Sequence, residues 1–189
     1  MAHKEQINYI NKTKTKFPEY FTNKKVLGIG TFNVCGTEDQ YFDNCDYRGL
    51  DLGPGPGVDI VCPAQDYDAP DNTYDVIISC ECFEHNPFYK ETIQNAYRIL
   101  KPGGMLLFTC ATTGRPVHGT VSLEEESKKK FPNWKTMPNV VKENWDNDYY
   151  KNLTEEDIRK CINVDSSFSE YEFEVETNHC DLFFWGFKK

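Results

Sequence analysis

Two apolar runs that do not alternate bracket an amphipathic stretch in the middle of this chain. Tyr74 to Ser79 contains Val76-Ile77-Ile78, and Met105 to Ala111 contains Met105-Leu106-Leu107-Phe108. A strand with one wet face alternates apolar and polar residues. Continuous apolar strands belong to a parallel sheet covered on both faces. Between the runs, Tyr89, Ile93, Ala96, Tyr97 and Leu100 share one helical stripe. Asn86 is a candidate cap, Pro87 suits a first turn, and Lys101-Pro102-Gly103-Gly104 stops the helix. A strand–helix–strand unit of this kind is a right-handed parallel crossover.

Shorter strand candidates precede it: Lys25 to Gly30, Tyr47 to Leu52 and Val58 to Val61. Ile7 and Ile10 among Lys and Asn predict an amphipathic helix over 3–16, ending before Pro18. Only about ten residues separate Gly36 from the second strand, so a helix there is short or absent. Thr154, with Asp157 three positions on, predicts a capped helix start. Phe168 to Glu176 and Asp181 to Phe187, broken at Thr177-Asn178-His179, read as an antiparallel hairpin. The expected class is α/β, a doubly wound, mostly parallel sheet with a terminal antiparallel hairpin. At 189 residues the chain is expected to be one domain.

The balance of 21 Lys and Arg against 30 Asp and Glu gives a charge of −9, which argues against a nucleic-acid coat or an anionic membrane surface. No stretch approaches the apolar length of a membrane span. Residues 1–16 are polar and Lys-rich, unlike a secretory signal. The 8 Cys include no CxxC pair, and Cys80 and Cys110 close apolar runs. Reduced thiols and a cytoplasmic location are therefore expected, with no zinc site.

Ligands of an open parallel sheet bind beyond the carboxyl ends of its strands. The first candidate strand ends at Gly28-Ile29-Gly30-Thr31, where glycine lets backbone approach a ligand. The second ends at Asp51, 21 positions after Gly30, a spacing at which an acid can accept both ribose hydroxyls of an adenosine. The third ends at Cys62-Pro63-Ala64-Gln65-Asp66, and the fourth at Ser79-Cys80-Glu81-Cys82-Phe83-Glu84-His85.

These stretches, with Val26-Leu27-Gly28-Ile29-Gly30, Leu50-Asp51-Leu52, Asp71 to His85 and Arg98-Ile99-Leu100-Lys101-Pro102-Gly103-Gly104, resemble a class I S-adenosylmethionine-dependent methyltransferase of the small-molecule type. The resemblance covers about residues 20–112, and the terminal hairpin fits it too. It implies a Rossmann-like, seven-stranded sheet and S-adenosyl-L-methionine as cofactor. It further implies that Gly28, Gly30 and Thr31 form the turn at the methionine part, and that Asp51 holds the ribose. Leu52 would pack on adenine, Ala64 and Gln65 would lie along its edge, and Cys80 would sit beside the sulfonium. The sequence departs from the family where Gly28 replaces an acid, where Phe32 and Val34 replace turn glycines, and where Pro63 replaces an acid.

Within domain 1–189 the resemblance divides the chain into an N-terminal helix (1–24), a cofactor core (25–111), an acceptor lid (112–150) and a helix with terminal hairpin (151–189). Transfer to a hydroxyl needs a base, and the candidates are His118, Glu84 and His85. Glu81-x-x-Glu84-His85 also resembles the metal-binding pattern of ubiquinone-pathway and small-RNA 3′-terminal methyltransferases. The pattern occurs in metal-free relatives as well, and the expectation is that no metal is used. In the lid, Trp134, Trp145, Tyr149 and Tyr150 are candidates for stacking on an acceptor ring or for packing the lid. The expected function is O-methylation of a small-molecule or glycan acceptor. The rivals are a degenerate binding or scaffold subunit and, on Gly28-x-Gly30-x-x-Asn33 with Asp51, a nicotinamide oxidoreductase. Residues 26–100 hold 3 basic and 13 acidic side chains, a field that suits a sulfonium better than a pyrophosphate.

Overall fold

A computed structural model describes residues 3–33, 36, 38–123, 126, 146 and 148–189. Seven strands form one sheet: β1 (Lys25–Ile29), β2 (Asp46–Asp51), β3 (Ile60–Val61), β4 (Tyr74–Cys80), β5 (Leu100–Ala111), β6 (Phe168–Glu176) and β7 (Asp181–Lys188). Their order is β3-β2-β1-β4-β5-β7-β6. β1 to β5 pair in parallel, and β7 runs antiparallel between β5 and β6. The expected doubly wound α/β sheet with its terminal hairpin is therefore present. The chain winds outward from β1 to β3 and returns to β4, so the switch point lies between β1 and β4.

The continuous apolar runs are explained by two cores. One face of the sheet (Val26, Val76, Ile78, Cys80, Met105, Leu107, Phe183 and Trp185) packs on α1 (Lys4–Lys16) through Tyr9 and Ile10. The other face (Leu27, Ile29, Ile77, Leu106, Phe108 and Phe184) packs on α2 (Tyr89–Ile99) through Ile93, Ala96 and Ile99. Ile158 of α3 (Glu155–Cys161) and Val164 of α4 (Val164–Ser167) extend this second layer. Burial on both faces removes the period-2 signal from β4.

Three local expectations are corrected. The helix expected to be capped by Asn86 begins later: Asn86 Oδ1 accepts from the Phe88 N–H at 2.8 Å, spending the cap on a turn, and α2 starts at Tyr89. The strand expected over 58–61 shrinks to Ile60–Val61, because Val58 N–H bonds Gly55 O in the preceding loop and Asp59 Oδ2 accepts from Gly49 N–H. β5 begins at Leu100, ahead of its glycines, where Leu100 pairs with Tyr74. Among the described residues, only a 3₁₀ turn at Glu38–Tyr41 stands between β1 and β2, matching the short connection that the spacing required.

Candidate active site

Gly30 directly follows β1 at φ +77, a left-handed conformation that glycine adopts without strain. Its N–H donates to Leu50 O at 2.8 Å, bending the chain across the end of β2. A Cβ on Gly30 would lie 2.5 Å from Cys82 Sγ, so the turn rests against the loop after β4 across the switch point. Asp51, at the carboxyl end of β2, faces the same turn. Its Oδ2 accepts from Phe32 N–H at 2.9 Å and its Oδ1 from Leu52 N–H at 2.7 Å. Burial raises the Asp51 pKa from its ordinary value, with those backbone donors pulling the other way. The loop after β2 folds back over the turn: Thr31 Oγ1 donates to Gly57 O at 2.9 Å, and Asn33 N–H to Pro56 O at 2.8 Å. The Phe32 ring occupies the space where Gly55 would carry a Cβ.

The other expected cofactor residues are placed unevenly. Leu52, Ala64 and Gln65 are half-buried along the β2 and β3 ends. Gln65 Oε1 accepts from Thr92 Oγ1 of α2 at 3.5 Å. Gly28 lies inside β1, and a Cβ there would stand 2.0 Å from Tyr47 Oη, so this glycine makes room for a tyrosine. Cys80 is buried in the α1-side core, and burial pushes its thiol pKa well up. Cys82, which the sequence did not single out, is the cysteine that meets the glycine turn.

The three candidate bases come together. Single ligand atoms of Glu84, His85 and His118 lie within 4.8 Å of one another. The His85 and His118 rings meet edge-on at 5.0 Å, and Tyr150 joins them at 5.4 and 5.1 Å. Glu84 is fully buried and neither of its carboxyl oxygens has a hydrogen-bond partner. Burial, then the charge of Glu81, push its pKa up to about 8. His85 has a buried, unpartnered Nδ1, and burial lowers its pKa to about 3. His118 is half-buried, and burial lowers its pKa too. Its Nδ1 lies 3.0 Å from Pro116 O. A carbonyl only accepts, so Nδ1 carries the proton and Nε2 keeps a free lone pair. Glu84, by contrast, is held largely protonated at neutral pH by its burial.

A second cluster was not legible in the sequence. Glu81, at φ +50, follows β4 and buries its carboxylate, whose Oε1 accepts from Thr109 Oγ1 at 2.9 Å. Asp181, at the start of β7, accepts from Arg115 at 2.9 Å and stands 3.0 Å from His3 Nε2. His3, Glu81 and Asp181 form another group whose ligand atoms converge within 4.8 Å. Arg115 already places a cation against both carboxylates there. Residues 124, 125, 127–145 and 147 of the expected lid, including Trp134 and Trp145, lie outside the described residues.

This fold and cleft define an α/β methyltransferase class, and comparison with known proteins agrees. Residues 1–161 match the family model described as a methyltransferase domain. The chain belongs to that family, as a class I S-adenosylmethionine-dependent methyltransferase domain. It is similar over 96% of its length to phosphoethanolamine N-methyltransferase 2 of Haemonchus contortus, solved with S-adenosyl-L-methionine, at 19% identity and TM-score 0.63. It spans 52% of that protein. It is similar over its whole length, at 12% identity and TM-score 0.59, to 1,6-didemethyltoxoflavin-N1-methyltransferase of Burkholderia thailandensis, of which it covers 92%. Over 82 residues it is 30% identical to a highly reducing polyketide synthase of Aspergillus terreus; the match takes in 43% of this chain and 3% of that one. Among the described residues, no helix is long and apolar enough to cross a membrane.

Proposed function

We propose that the chain methylates a hydroxyl of a small or sugar-like acceptor, with His118 as the general base. The observation that carries this is the state of His118: proton on Nδ1, lone pair on Nε2, and a lowered pKa that keeps the ring neutral at pH 7. His85 and Tyr150 hold the ring by edge contacts, so its free nitrogen is oriented rather than tumbling in solvent. Segment 112–150 would form the lid over the acceptor, with Tyr150 offering a ring face.

On this reading the cofactor rests on Asp51, whose two carboxylate oxygens each retain accepting capacity beyond their backbone bonds. Leu52, Ala64 and Gln65 line the purine side, and Gly30 with Thr31 and Cys82 forms the floor at the switch point. When bound, S-adenosylmethionine supplies an electrophilic methyl group. The chain's own part is to align the acceptor hydroxyl, take its proton on His118 Nε2 and exclude water with the lid. The acidic residues around the cleft favour a sulfonium over a pyrophosphate.

The solved neighbours named for nitrogen acceptors favour a second reading, transfer to an amine or ring nitrogen. A ring nitrogen that carries a free lone pair does not need a base, whereas an alkylamine, an ammonium at pH 7, must first release its proton to solvent. His118→Ala separates the two. For a hydroxyl acceptor, turnover falls by about 10²- to 10⁴-fold with cofactor binding intact. In the parent it also falls as pH drops through the lowered His118 pKa, because the imidazolium cannot accept a proton. Unchanged turnover with intact cofactor binding removes His118 from the mechanism and favours nitrogen.

A further inference from the structure

We propose that His3 is a positioning residue: its imidazolium clamps the first turn of α1 onto the buried carboxylates of Glu81 and Asp181 and so closes one wall of the cofactor cleft. The carboxylate side chains of Glu81 and Asp181 are 1% and 0% exposed. One oxygen of each is engaged, Glu81 Oε1 by Thr109 and Asp181 Oδ1 by Arg115. The other two, Glu81 Oε2 and Asp181 Oδ2, have no hydrogen bond and turn toward His3 Nε2, at 3.8 and 3.0 Å.

The charge count gives His3 a role. Arg115, whose second terminal nitrogen is 3.8 Å from Glu81 Oε2, offsets one of the two carboxylates. A second buried anion without a partner is strongly disfavoured. Protonated His3 supplies a charge there: Nε2 forms an ion pair with Asp181 Oδ2 at 3.0 Å, and Nδ1 lies 3.2 Å from Glu5 and 3.4 Å from the Gln6 N–H. The His3 ring also stacks on His179 at 3.8 Å, and His179 in turn touches Arg115 and lies 3.5 Å from Asp181. The facing groups are thus Glu5 of α1, Glu81 after β4, Arg115 after β5, and His179 and Asp181 of the hairpin.

The clamp acts where the ligand enters. Glu81 directly follows β4, whose carboxyl end flanks the switch point, and one turn along α1 Gln6 is buried with an unpartnered Oε1. On this proposal the first turn of α1 is a wall of the cleft, joined by ion pairs at that end and by apolar packing farther along. Burial opposes the His3 charge, but Asp181 and Glu81 outweigh it and raise its pKa from 6.5 to about 9. A raised histidine pKa means that the clamp is fully present below pH 6.5 and is lost as pH rises through about 9.

The test is calorimetric binding of S-adenosylhomocysteine to the parent, His3→Gln and His3→Lys across this range. The parent is expected to lose about tenfold or more in affinity between pH ~6.5 and ~9.5. His3→Gln should be weak throughout, with a flat profile. His3→Lys, charged throughout, should bind tightly with a flat profile. Parent-like affinity in His3→Gln, or the parent's pH dependence surviving in either variant, overturns the proposal. If His3→Gln does not fold, the His3→Lys profile decides alone. The binding readout rests on the methyltransferase assignment, so amide hydrogen exchange over residues 4–10 reads the clamp without cofactor. Faster exchange in the parent at high pH than His3→Lys shows under the same conditions is expected, and equal exchange overturns the clamp.

Discussion

Glu84 shows how much a single side chain can depend on its surroundings. Its carboxyl is buried without a partner, and a pKa of about 8 keeps it largely neutral at physiological pH. A carboxyl whose folded pKa is raised contributes stability that is fully present below its unfolded pKa of 4.5 and is lost as pH rises through about 8. Glu84→Gln is therefore expected to melt near the parent temperature at low pH and above it at high pH, by about 2–4 °C per kcal/mol regained. Thermal scans across that range check it, and identical scans at high pH would contradict the buried state of Glu84. At this scale the sequence was informative only where spacing carries meaning. Asp51 could be found from its distance to Gly30, and Glu84 and His85 from the end of an apolar run. His3, Arg115 and Asp181 could not, because 178 positions separate His3 from Asp181 and no local pattern links them. Gly28 misled for a related reason: a glycine that admits Tyr47 looks the same in sequence as one that admits a ligand.

Elements were more legible than sites, because hydrophobic period and caps are local. The capped start at Thr154 is present in full: Thr154 Oγ1 accepts from Asp157 N–H at 3.3 Å, and Asp157 Oδ2 accepts from Thr154 N–H at 3.0 Å. Thr154→Ala should cost about 1 kcal/mol in urea unfolding and leave cofactor binding unchanged. A loss near zero would mean that α3 is held by the burial of Leu153 and Ile158 alone. Asn86 failed as a cap where Thr154 succeeded, since its amide oxygen was drawn to Phe88 and its amide nitrogen donates to Thr92 Oγ1. Side-chain competition of that sort is decided by tertiary placement. The strand over Tyr74–Cys80 was legible, whereas β3 was overdrawn because its loop bonds claimed Val58 and Asp59.

For the whole molecule, the continuous apolar strands and the hairpin were enough to place the chain in its fold class, while the strand order is read from the structure. The acidity of the cofactor half sharpens what that fold should accept. S-adenosylhomocysteine is expected to raise the melting temperature measurably, and NAD to leave it unchanged. A shift with NAD alone would overturn the cofactor assignment. The placement of β7 has a further consequence for biosynthesis. This strand lies between β5 and β6; its Phe183 stacks on Tyr9 and its Trp185 meets Phe17 edge-on, both at the other end of the sequence. A nascent chain that has released residues 4–16 can complete their docking only once residues 181–188 have left the ribosome. Until then the aromatic ring contacts of α1 with β7 stay open to chaperones, and the sheet closes in a late step.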